Sequence, residues 1–123
     1  MRVDIERNKT YYKSEDSIPC NCGDCINYIN KIENKYPFIK SYLDLIGVDV
    51  LRPFELSSIN NEEEKTVEYI SSQYLVFGEC EDDFKETILG IEIVKGTSYP
   101  GVPEYIKDKW FILEVIGIIL SLD

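Results

Sequence analysis

Thr66-Val67-Glu68-Tyr69-Ile70-Ser71-Ser72-Gln73-Tyr74-Leu75-Val76-Phe77 is rich in β-branched and aromatic side chains, the composition of a strand packed on a pleated surface. The charged run Asn60-Asn61-Glu62-Glu63-Glu64-Lys65 before it reads as a turn, and residues 54–59 before that read as a partner strand. The two segments predict a hairpin. Downstream, residues 86–95 predict a further strand, 96–103 a loop containing Tyr99-Pro100-Gly101, 109–116 another strand, and 118–122 a short return. Upstream, Val48-Asp49-Val50-Leu51-Arg52-Pro53 reads as irregular, because Pro53 donates no ladder hydrogen bond.

The pattern from Asp24 changes to helical. Ile26, Ile29, Ile32 and Tyr36 recur at spacings of three and four, Asp24 or Gly23 suits the N-cap, and this helix ends near Lys35. Pro37 suits the first position of a second helix with Phe38, Tyr42, Leu45 and Ile46 as its buried stripe, and Gly47 is a left-handed stop. At the start, residues 2–12 predict a strand with Val3 and Ile5 on one face, followed by a polar turn at Ser14-Glu15-Asp16-Ser17. Together these segments predict an α+β fold: an antiparallel sheet of four to five strands with a pair of short helices inserted after the first strand. At 123 residues the chain fits a single domain spanning 1–123.

An apolar fraction of 44% is that of a chain that folds. The net charge of −10, from 23 acidic and 13 basic side chains, repels a phosphate backbone and argues against nucleic-acid binding. A basic protein is the more compatible partner. The start lacks the apolar core of a secretory signal, which places the expected location in the cytoplasm. The apolar stretch 110–122 is too short, and too interrupted by Glu114 and Gly117, to span a bilayer as a helix, so no membrane segment is expected.

Three cysteines crowd into Cys20-Asn21-Cys22-Gly23-Asp24-Cys25, with a fourth at Cys80. In a reducing cytoplasm thiols or metal ligands are favoured over structural disulfides, and a Cys20–Cys22 bridge is strained because side chains two apart run parallel. Cys22-Gly23-Asp24-Cys25 has the C-x2-C spacing of a zinc knuckle, and Cys20 adds a third thiolate. The chain has no His, so the fourth donor comes from Cys80, a carboxylate such as Asp24 or Glu81, or water. The metal-ligand expectation is Cys20, Cys22, Cys25 and Cys80, holding structural zinc. Two other readings stand beside it: thiols packed as small apolar groups, and redox chemistry with Cys25 made acidic by the helix start. Nearby Glu15, Asp16 and Asp24 oppose that acidity by charge repulsion.

Other constellations are weaker. Without His, neither a Ser/His/Asp nor a Cys/His catalytic arrangement can form, and Gly78, Gly90 and Gly96 are too far apart for a phosphate loop. Glu62-Glu63-Glu64 and the cluster Glu79, Glu81, Asp82, Asp83 lack the ligand alternation of a calcium loop and read as solvated turns. Trp110, Phe111 and Leu113 read as strand core.

The run Ile18-Pro19-Cys20-Asn21-Cys22-Gly23-Asp24-Cys25-Ile26-Asn27-Tyr28, with Leu45-Ile46-Gly47-Val48-Asp49 and Arg52-Pro53-Phe54-Glu55-Leu56, resembles a family of short bacterial proteins, mainly from Firmicutes. These share an N-terminal C-x-C-x2-C-x-N-Tyr/Phe motif, a Leu-Gly-Val/Ile-Asp segment and then strands. Tyr74-Leu75-Val76-Phe77-Gly78 and Trp110-Phe111-Ile112-Leu113-Glu114 are similar to its strand segments. The resemblance implies a small cytoplasmic accessory protein and assigns no activity. Size, acidity and the absence of catalytic groups point to a non-catalytic, immunity-like or inhibitor-like binding protein with a structural zinc site; the alternative is a thiol-redox or metal-dependent enzyme.

Overall fold

The computed structural model describes residues 1–97, 102–104 and 106–123. Among these, the chain order is β1 (Arg2–Val3), α1 (Ile5–Tyr12), a 3₁₀ turn (Glu15–Ser17), α2 (Gly23–Lys35), α3 (Pro37–Leu45), β2 (Glu55–Asn61), β3 (Thr66–Glu79), β4 (Lys85–Ile88), β5 (Ile91–Lys95), β6 (Trp110–Ile116) and β7 (Ile118–Ser121). The class is α+β, as expected, with three α-helices and a curled antiparallel sheet.

Strand β3 is the spine. Its 14 residues pair with β2 over Thr66–Gln73 and with β1 at Gly78 and Glu79. On the opposite edge it pairs with β7 over Thr66–Tyr69 and then with β6 over Ser72–Phe77. Strands β5 and β4 extend the sheet beyond β6. Serving so many neighbours, β3 is buried from Ser72 to Phe77 without alternation, because the curled sheet and the helices cover both of its faces there. Tyr28, Ile32, Ile39 and Leu43 from α2 and α3 join Tyr69, Tyr74, Leu75, Ile112 and Leu113 in one core.

Several expectations are corrected. The first strand ends at Val3; Asp4 then caps a helix, its carboxylate accepting the Arg7 N–H at 3.0 Å, and Asn8, Tyr11 and Tyr12 form its buried face. A helix therefore replaces most of the strand read over 2–12, and three helices instead of two precede β2. The strand read over 86–95 is two strands folded on a tight Leu89-Gly90 turn, both residues at positive φ, so the described residues form seven strands where four to five were expected. The expected loop at Tyr99-Pro100-Gly101 lies outside the described residues.

Helices α2 and α3 form over the residues read as the helical pair, but α1 stands between them and the first strand, and their buried faces differ. On α2 the buried positions are Cys25, Tyr28 and Ile32, while Ile26 is 47% exposed. Tyr28 sets that orientation: its ring packs edge-on against Tyr69 at 4.9 Å and its hydroxyl meets that of Tyr74 at 2.8 Å. On α3, Ile39 and Leu43 are buried and Leu45 is 77% exposed. Pro37 occupies the start of α3 and Gly47, at φ +80°, ends it, with Val48 N–H bonded to Leu43 and Gly47 N–H to Asp44. No helix among the described residues is long and apolar enough to cross a membrane.

Candidate metal centre

The cysteine segment is fixed at both ends. On its N-terminal side Arg52 donates to the Ser14 carbonyl at 3.0 Å and to the Ser17 hydroxyl at 2.8 Å, holding the 3₁₀ turn that feeds Ile18 and Pro19. On its C-terminal side the first turn of α2 is bolted to the sheet through Asp24. The Ser58 hydroxyl donates to the Asp24 carboxylate at 2.6 Å, and the Tyr69 hydroxyl donates to the Asp24 carbonyl at 2.6 Å. Two strands therefore position the start of one helix.

Cys22, not Gly23 or Asp24, is the N-cap of α2, and its carbonyl accepts the Ile26 N–H at 2.9 Å. Its N–H points back to the Cys20 sulfur at 3.3 Å, the N–H···S contact of a turning knuckle. Cys25 lies in the first turn and is buried, whereas Cys20 and Cys22 are exposed. The three Sγ atoms all lie within 4.8 Å of one another. Three thiolates bound to one zinc ion at about 2.3 Å in tetrahedral array sit about 3.8 Å apart, so small side-chain rotations close the set on an ion.

Protons are shared unequally across this cluster. The Cys22 thiol is held below its ordinary value. The largest influence is the open N–H of Cys25, followed by the thiols of Cys25 and Cys20. The N–H groups of the helix start act on this exposed sulfur electrostatically without completing a cap hydrogen bond. Cys25 moves the other way: burial is the main cause, and the Cys22 and Cys20 thiols push it further upward. The expectation that the helix start acidifies Cys25 is thus corrected; the thiol it favours as thiolate is Cys22.

Cys80 does not join the cluster. It follows the end of β3, whereas Tyr69, which touches α2, lies near the beginning. Glu79 lies ten positions beyond Tyr69 along the strand, on the order of 30 Å at about 3.3 Å per residue. Cys80 instead lies beside the amino terminus, its sulfur 3.6 Å from the Glu81 carbonyl, in an open surface cavity of about 530 Å³ lined also by Glu79, Lys95, Lys109 and Trp110. Burial and the neighbouring Glu81 raise its thiol, against the opposing charges of the amino terminus and Lys95. Of the four cysteines expected as ligands, Cys20, Cys22 and Cys25 are brought together and Cys80, at the far end of the spine, is not among them.

Three of the acidic residues near Cys80 are engaged in ion pairs. Glu79 pairs with Lys109 and Arg2, Glu81 with the amino terminus at 2.8 Å, and Asp82 with Lys95 at 2.6 Å. Asp24 accepts from Ser58 and Glu81 lies at the other end of β3, and neither carboxylate is within the close group of three sulfurs. Phe111 and Leu113 are core, as read from the sequence, while Trp110 is half-buried at the cavity edge. Sequence reasoning missed Ser58 and Tyr69 as anchors; their partner, Asp24, reads from the sequence as a capping residue or a fourth donor, not as a tie to the sheet. No family model, curated protein or solved structure matches this chain.

Proposed function

We propose that this chain is a small non-catalytic binding protein that carries one zinc ion on Cys20, Cys22 and Cys25. The observation that carries the reading is the mutual approach of three Sγ atoms within 4.8 Å on an anchored helix start. Soft thiolates select zinc over the hard divalent cations, and an ion here links the approach segment to α2, a structural role. The fourth position is left to water or to a donor from outside the chain, because no fourth Cys or carboxylate of the described residues joins the cluster and the remaining positions are Ser98, Tyr99, Pro100, Gly101 and Tyr105.

The acidic balance supports a basic protein as partner, in the manner of an immunity or inhibitor protein that meets its target by electrostatic steering. Glu62, Glu63, Glu64 and Glu68 line one open concavity of about 360 Å³ beside the β2–β3 turn, and we assign the contact to that end. The resemblance to the short C-x-C-x2-C bacterial proteins fits the same accessory role.

Titration of the reduced chain with zinc against a chromophoric chelator, with cobalt as a spectroscopic substitute for thiolate ligation, tests the metal reading. One ion per chain is expected, lost in Cys22→Ser and Cys25→Ser and retained in Cys80→Ser. No stoichiometric uptake, or uptake abolished by Cys80→Ser, overturns it.

A further inference from the structure

The spacing that suits a metal ion also suits a covalent bond. Cys22 and Cys25 occupy the N-cap and the third position of α2. Cα atoms three residues apart at a helix start lie about 5 Å from one another, inside the window a disulfide accepts. Their sulfurs are within 4.8 Å, and both ends of the segment are pinned, so bridging needs a change of side-chain rotamer and little movement of the backbone. Exposure divides the two roles. Cys22 is open to an incoming reagent, whereas Cys25 is buried, shielded from attack by solvent-borne reagents and in reach of its neighbour. Cys20 is exposed too, but it precedes the helix start that holds Cys22 and Cys25 at bridging spacing, and its sulfur accepts the Cys22 N–H at 3.3 Å.

We infer that Cys22 and Cys25 form a dithiol–disulfide couple that exchanges with low-molecular-weight disulfides, so that the bridge and a bound metal ion exclude one another. In the first step the Cys22 thiolate attacks one sulfur of a disulfide RS–SR; a mixed disulfide forms and RS⁻ leaves, to be protonated by water. In the second, Cys25 gives its proton to solvent and attacks Cys22 Sγ, which forms the intramolecular bridge and expels the second RS⁻. The chain loses two electrons, the reagent gains them, and two thiols are released for two consumed. Bridging removes two of three thiolates from the proposed zinc site. The couple uses the thiols of that site but does not require a metal to bind there.

The test is to incubate the reduced, metal-free full chain with oxidised glutathione, then alkylate it and map it by mass spectrometry. Free thiols are expected to fall from the four of the sequence to two, Cys20 and Cys80, with no glutathione retained. Cys25→Ser is expected to stop at one glutathione on Cys22, and Cys20→Ser to bridge as the parent does. The bridged chain loses zinc uptake and regains it after thiol reduction. Glutathione retained on Cys22 of the parent, or a bridge through Cys20 or Cys80, overturns the inference. Should circular dichroism show Cys25→Ser unfolded, the thiol map of the parent decides. A chain that bridges but never takes up zinc overturns only the metal reading, and one that takes up zinc but does not bridge overturns only the couple.

Discussion

Asn8 joins three elements through one side chain. Fully buried on α1, it donates to the Ile46 carbonyl at the end of α3 at 2.8 Å and accepts the Phe77 N–H of β3 at 2.7 Å. Asn8→Ala leaves two backbone groups buried without partners, a loss of about 3 kcal/mol. A lowered urea midpoint with an unchanged slope is the expected reading, and an unaltered midpoint argues against the role. Asp24 is the equivalent for the cysteine cluster, but it acts through Ser58 and Tyr69 instead of through an ion. Asp24→Asn should keep one zinc per chain in the same chelator competition; a lost site would place the carboxylate on the metal.

Among the elements, β1 is the shortest and depends on a glycine. Gly78 sits at φ +135°, and a Cβ there would lie 2.2 Å from the Arg2 carbonyl oxygen, so both the backbone conformation and the close approach of β1 exclude a side chain. Gly78→Ala is expected to cost about 3 kcal/mol and to detach β1. Amide exchange reports it: the Asp4 N–H, bonded to the Phe77 carbonyl at 2.9 Å, should lose protection while β6 keeps its own. The join between α2 and β3 is a different kind of contact. The Tyr28 hydroxyl meets that of Tyr74, which in turn donates to the Val50 carbonyl at 2.8 Å. Tyr28→Phe removes one hydrogen bond and leaves the other, for about 1 kcal/mol on the same urea scale.

At the scale of the molecule the tyrosines govern the alkaline limit. Burial raises Tyr28 to about 12 and lifts Tyr12 and Tyr74 well above the ordinary phenol value. Below about pH 10 these groups are neutral in both folded and unfolded chains and add no pH dependence. Above it only the unfolded chain ionises, so the stability they supply is lost as the pH climbs toward the folded values. Urea midpoints should fall steeply from about pH 10 upward, and less steeply in Tyr28→Phe. The acid side has the opposite sign: Glu79, Glu81 and Asp82 are held below their ordinary values by Lys109, the amino terminus and Lys95, so their contribution is lost as the pH falls. All three are exposed, and that slope should be shallow. For the proposed basic partner, an oligolysine probe is expected to bind less tightly to a Glu62→Gln, Glu63→Gln, Glu64→Gln variant at low salt. The difference should vanish at high salt, and anisotropy measured at two ionic strengths decides between the outcomes.

The sequence by itself determined the α+β class, the helical pair from residue 24 to 46 with its Pro37 start and Gly47 stop, the β2–β3 hairpin, and Cys20, Cys22 and Cys25 as neighbours. Each is a local property, set by spacing, turn chemistry or adjacency over a few residues. The tertiary structure decided what depends on distant partners. Asn8 makes a helix worthwhile where Val3 and Ile5 alternate like a strand, because its two bonds reach residues far along the chain. Tyr28 turns α2 so that Cys25 is buried and Ile26 exposed, because Tyr69 and Tyr74 wait on β3. Leu89 adopts a left-handed turn that its side chain does not favour, held by the pairing of β4 with β5. Cys80 shows the limit most directly: its chemistry matches the cluster, but the strand run from Tyr69 to Glu79 carries it away from the helix start, since a β-strand converts sequence separation almost fully into distance.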